Sequence, residues 1–137
     1  MNQDIARKMH LIASQVGDLK DGRVKAFTGH QLGYATIEVV NRGCKVYAQH
    51  TLNDRLTIDL LTTKAASIKF PLAEKSAVAK FKAFASERNF KTSEVTWQHS
   101  ASKADARHGY SFEVTGYSPE QIRATVEALK IAFQSLP

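Results

Sequence analysis

Between Tyr34 and Leu61, apolar and polar residues alternate in three successive runs. Ala35, Ile37 and Val39 share one side while Tyr34, Thr36 and Glu38 take the other. Cys44, Val46 and Ala48 alternate with Lys45, Tyr47 and Gln49, and Leu56, Ile58 and Leu60 alternate with Arg55, Thr57 and Asp59. A period of two marks strands with one dry and one wet face, so the stretch predicts three strands joined by tight turns. Asn41, Arg42 and Gly43 tolerate the positive φ values of a hairpin turn. An even-membered turn keeps the Cys44 set on the dry side, and a three-residue bulged turn suits the same residues, so the strands are better defined than their register. Glu38, Asp59, Glu94 and Glu113 fall on polar strand faces, where solvated charge is expected.

Around this meander the period changes to that of helices. Ile5, Met9, Ile12, Val16 and Leu19 predict an amphipathic helix from near Asp4 to about Gly17. Arg23 to Thr28 reads as a short edge strand with Val24 and Ala26 inward, and Gly29 to Gly33 as a loop. Thr62 to Ser67 reads as a connector, with Ile68 and Phe70 reaching back to the core, and Pro71 marks a helix entrance. Ala77, Val78, Phe81, Phe84 and Ala85 form the stripe of a helix running from Leu72 to about Asn89.

Alternation returns at Thr92–His99, with Val95 and Trp97 as its apolar row, and at Tyr110–Thr115, with Phe112 and Val114. These predict a second hairpin around the polar 100–109 loop. Ser118-Pro119-Glu120-Gln121 then spells a capping box: the serine caps, proline fits the first helical position, and glutamine reaches back. Ile122, Val126, Leu129, Phe133 and Leu136 give that helix its stripe. The expected fold is α+β in one domain, 1–137: an antiparallel sheet in the order helix, three to four strands, helix, two-strand hairpin, helix, with the helices on one face.

Composition sharpens this little. At 43% hydrophobic and 23% charged the chain is ordinary globular protein, and no run approaches a membrane span or the apolar core of a signal peptide. A cytoplasmic, non-membrane protein is expected. The lone cysteine, Cys44, sits in a dry strand row and reads as a small buried hydrophobe.

Charge adds more. The net charge is +6, and +5 of it lies between Lys64 and Lys91, where Lys64, Lys69, Lys75, Lys80, Lys82, Arg88 and Lys91 face only Glu74 and Glu87. On the predicted helix Lys80 and Lys91 flank Glu87, whereas Lys75 and Lys82 share the other flank without an acidic partner. Those two lysines, with Lys45, Tyr34 and Tyr47 on the wet sheet face, are the candidate contacts for nucleic acid or an acidic protein.

Catalysis finds no motif. His10, His30, His50, His99 and His108 lack any metal-ligand spacing, and His99 with His108 and Asp105 would be an incomplete ligand set. Cys44 and His50 share strand parity but stand roughly 20 Å apart at ~3.3 Å per residue. No catalytic residue, cofactor or metal is expected.

The order helix, three strands, helix, with Lys75-Ser76-Ala77-Val78-Ala79-Lys80 in the second helix, resembles double-stranded RNA-binding domains, although their consecutive lysines at that helix start are absent. Over its whole length the element order is similar to type III secretion chaperones, which are acidic dimers where this chain is basic. The favoured function is a non-enzymatic protein-binding adaptor, chaperone or small inhibitor; the alternative is an RNA- or DNA-binding protein using the basic helix and sheet face.

The last helix carries a second apolar strip, Ala124, Ala128 and Ile131. A helix apolar on two sides needs two partners. Either two copies form a homodimer through this strip, or the helix lies between the sheet and the N-terminal helix with both sides covered.

Overall fold

The computed structural model describes residues 4, 5, 7, 8, 11, 12, 24–26, 33–39, 44–50, 54–97 and 107–133; within these the side chains at 24–26, 33–39, 45, 47, 50, 63–66, 96, 97, 107 and 108 lie outside the description. Helical residues within 4–12 form α1. They are followed by β1 (Val24–Ala26), β2 (Gly33–Val39), β3 (Cys44–His50), β4 (Leu56–Thr63), α2 (Lys64–Lys69), α3 (Pro71–Glu87), β5 (Ser93–Trp97), β6 (Arg107–Glu113) and α4 (Pro119–Phe133). The six strands make one sheet in the order β1-β2-β3-β4-β6-β5, with every neighbouring pair antiparallel.

Register follows the dry rows. Ala35, Ala48, Ile58 and Phe112 lie across from one another, as do Ile37, Val46, Leu60 and Tyr110. Val39 pairs with Cys44, so the first turn holds four residues and is even-membered. A one-residue slip would have turned every dry side chain to the wrong face. Val24 pairs with Ala35 and Ala26 with Gly33, which puts the short edge strand in the expected phase.

The helices cover the dry face. Ala77, Phe81, Phe84 and Ala85 of α3 and Ile122, Val126, Leu129 and Phe133 of α4 join Ile5 and Ile12 of α1 over Val46, Ile58, Leu60 and Phe112 in one core. Phe112 is its hub, with ring centroids 5.1 Å from Phe81, 6.3 Å from Phe84 and 4.3 Å from Phe90. Lys8 of α1 is almost buried; it donates to the Thr115 carbonyl at 3.0 Å and pairs with Asp4 at 2.9 Å.

Caps set the helix ends. Ser118 N–H donates to Gln121 Oε1 at 2.8 Å and Gln121 N–H to Ser118 Oγ at 3.2 Å, the reciprocal box that the sequence spells. At the end of α3, Phe90 N–H reaches the Ala85 carbonyl at 2.8 Å and Asn89 N–H the Ser86 carbonyl at 3.1 Å. This is a Schellman closure, with Asn89 in the left-handed region at φ 58°.

Three expectations are corrected. Residues 64–69 form α2 instead of an open connector, and Ile68 on it is exposed, away from the core. The predicted apolar row of β5 is out of phase: Ser93 pairs with Ser111 and Val95 with Gly109, so Val95 takes the sheet face that points away from the helices. The Trp97 side chain is outside the description. Finally, α3 ends at Glu87, so Lys91 lies beyond the helix and does not flank it.

Candidate interaction surface

Seen along its axis, α3 buries Ala73, Ala77, Phe81, Phe84 and Ala85 and exposes Leu72, Lys75, Ala79, Lys82, Ala83 and Ser86 on the opposite side. The 3.6-residue period alone accounts for this division. Lys75 and Lys82 therefore share one outward face, as the sequence suggests. The structure gives Lys82 an occupation that the sequence did not signal, since its ammonium stands 4.3 Å from the centroid of the Tyr110 ring. A cation held over its own protein's aromatic face is a less available phosphate ligand.

On α4 the outward residues include Glu120, Arg123, Ala124, Glu127 and Ile131, all exposed. Ile131 is 61% exposed. Ala128 is half-buried and packs on the core, so it sits at the border of the strip. Burial of both sides of α4 within one chain is excluded by Ile131 and Ala124. Among the described residues Ile68 and Leu72 are the other large exposed aliphatics, at 73% and 72%.

The second sheet face carries Tyr34, Tyr47 and Lys45 in register with Gln49, Thr36 and Glu38 respectively. Tyr34 and Tyr47 thus occupy adjacent diagonal positions, and Lys45 lies opposite an acidic position. Their side chains are outside the description. The same face holds an unexpected group: Asp59, which the alternation placed among solvated carboxylates, is only 3% exposed. Burial pushes its carboxyl up to about 6, against the pull of hydrogen bonds from Ser111 and Thr57. Among the described residues its Oδ1 has no hydrogen-bond partner. Parity shows which face a side chain takes; it does not show how deeply that face is covered.

Close to Ser111 and Thr57 a cleft of about 550 Å³ opens, with Arg55, Lys91 and Glu113 on its walls and Phe90 and Tyr117 behind them. Arg55 and Glu113 offset one another: Arg55 Nε lies 3.7 Å from Glu113 Oε1, which also accepts from Thr115 Oγ1 at 2.8 Å.

Cys44 is buried, and burial followed by the nearby Glu74 carboxylate raises its thiol pKa, which disfavours the nucleophilic thiolate. His50 and His108 have undescribed side chains, and His10, His30, His99 and Asp105 lie outside the described residues. Among the described residues no group of three or more His, Cys, Asp or Glu could hold a metal, and no helix is long and apolar enough to cross a membrane.

No protein-family model, curated protein or solved structure matches the chain.

Proposed function

We propose that this is a non-catalytic protein-binding protein, an adaptor, chaperone or small inhibitor, whose docking surface is the outward side of α3 and α4. One observation carries the reading. Leu72 of α3 and Ile131 of α4 expose 72% and 61% of their surface, and large aliphatic groups held in water favour a partner that covers them. Exposed alanines between them let a partner backbone come close, and the lysines of α3 favour an acidic one. The reading includes a cytoplasmic location, supported by the single, buried thiol.

Nucleic-acid binding is the second reading, favoured by Lys75 and Lys82 sharing one face. Capture from the native host by wild type and by a Leu72→Asp/Ile131→Asp bait, with and without nuclease, separates the two. Protein retained by wild type despite nuclease and lost with the variant supports the proposal. Retention that disappears with nuclease, together with RNA or DNA binding that weakens steeply with salt, overturns it.

A further inference from the structure

β5 pairs with β6 only from Ser93 and Ser111 onward, so Phe112 and Glu113 run past its start. The cleft of about 550 Å³ lies between this end of β6 and the residues that lead into β5, 89–92. That volume suits a small molecule. Thr57, Ser111 and Glu113 line it from the sheet face that points away from the helices, since Thr57 pairs with Glu113 and Asp59 with Ser111. Phe90 and Tyr117, both half-buried and 5.4 Å apart between ring centres, supply an aromatic wall.

The group behind the lining sets its polarity. Asp59 is 3% exposed, and among the described residues its Oδ1 has no hydrogen-bond partner. A carboxyl titrating at about 6 is largely ionised at neutral pH and then only accepts. The hydroxyls of Ser111 and Thr57 donate to it. Thr57 Oγ1 also lies 3.5 Å from the Gln49 carbonyl, too far to hold the proton against a carboxylate. A hydroxyl has one hydrogen, so with that hydrogen turned to Asp59 each oxygen offers the cleft lone pairs alone. The floor of the cleft is thus a pair of acceptors backed by a negative charge. Its rim is the reverse. Arg55 is matched by Glu113, whereas Lys91 is exposed and pairs with no acid among the described residues.

We propose that this cleft binds a free aromatic amino acid: the ammonium donates to the Thr57 and Ser111 oxygens, the carboxylate meets Lys91, and the ring lies on Phe90 and Tyr117. A simple anion would find Lys91 but acceptors beneath it. A simple amine would find the floor but leave Lys91 unmatched. A zwitterion satisfies both ends, because the two charges that the cleft leaves uncompensated, Lys91 and Asp59, are opposite in sign. An unpartnered buried carboxylate lowers stability, and its orientation of two hydroxyls as acceptors gives that cost a use. The site shares no residue with the outward surface of α3 and α4, so its failure leaves the protein-binding reading standing.

Amide chemical shifts recorded by NMR test the proposal. L-phenylalanine and L-tryptophan are titrated to millimolar concentration, each beside the amine that lacks its carboxylate and the acid that lacks its ammonium. The expected result is saturable shifts centred on Ser93, Ser111 and Glu113, with each truncated compound about tenfold or more weaker than the amino acid. Lys91→Ala should abolish the preference for the amino acid over the amine and keep its preference over the acid. Asp59→Asn, whose amide can donate to the two hydroxyls and turn their hydrogens into the cleft, should do the opposite in a protein that unfolds no more easily. A purely structural Asp59 would not move that preference. Absence of shifts at the cleft with both amino acids overturns the proposal. So does binding that ignores the loss of either charged group, or preferences unchanged in the two folded variants.

Discussion

The Lys82 ammonium lies 4.3 Å from the centre of the Tyr110 ring and so ties the outer side of α3 to β6. Removing the charge with Lys82→Ala should cost about 0.5–1 kcal/mol, the usual worth of such a contact at an exposed site. The same change made in a Tyr110→Leu background should cost close to nothing. Urea denaturation of the four proteins gives the coupling, and equal losses in both backgrounds would show that the pair is geometric only.

Asp59 should make stability fall as pH rises. Its folded value of about 6 lies above the ordinary 3.8, so the folded chain holds the proton more tightly than the unfolded one. The stabilisation is complete below the ordinary carboxylate range and is lost as the pH climbs through about 6. Ionisation of the buried group costs on the order of 3 kcal/mol. Asp59→Asn should therefore gain roughly 1–3 kcal/mol at neutral pH and lose that advantage near pH ~4. Denaturation curves showing the same gain at both values would refute the burial account.

Phe112 touches three other aromatic rings and is buried under both helix and sheet. Phe112→Ala should cost about 3–5 kcal/mol, because Phe81 and Phe84 are fixed on α3 and Phe90 by the closure at its end, so the rings cannot all collapse into the space. Thermal unfolding by circular dichroism reads the loss directly. A cost near that of a surface change would mean the cluster is loosely packed.

At the start of α4, Ser118→Ala should lower stability by about 1 kcal/mol. Gln121→Ala removes the reciprocal bond, and the double variant should cost less than the two singles added, since either change opens the same box. Strict additivity in chemical denaturation would say the two bonds act independently.

The sequence shows some of these relationships plainly and conceals others. α4 was readable because its start and its stripe are both local signals: Ser118 and Gln121 lie three residues apart, and Ile122, Val126, Leu129 and Phe133 repeat without interruption. The strands of the β2–β4 meander are legible because each alternates cleanly, whereas their register is not, since Asn41-Arg42-Gly43 suits an even-membered turn and a three-residue bulged turn alike. β5 was misphased for a physical reason. It is an edge strand, its register is imposed by β6 through Ser93 and Ser111, and Val95 with Trp97 looked like a core row only in isolation. The apolar side chain of Ile68 suggests a core position, but on α2 it stays in water, 73% exposed. The burial of Asp59 depends on what covers the second face, which no local pattern records. The Lys75 and Lys82 face was visible as charge, whereas the tie from Lys82 to Tyr110 joins residues from distant parts of the chain.

The bond from Lys8 to the Thr115 carbonyl spans 107 residues of sequence. During synthesis α1 therefore emerges long before the segment that fastens it, and until then Ile5 and Ile12 have no finished core to enter. β6, which slips in between β4 and β5, arrives late as well. Acquisition of the final structure is thus governed by contacts of large sequence separation, which slow folding. The early helix spends that interval as a sticky, unanchored segment, the condition in which a growing chain most needs a holding factor.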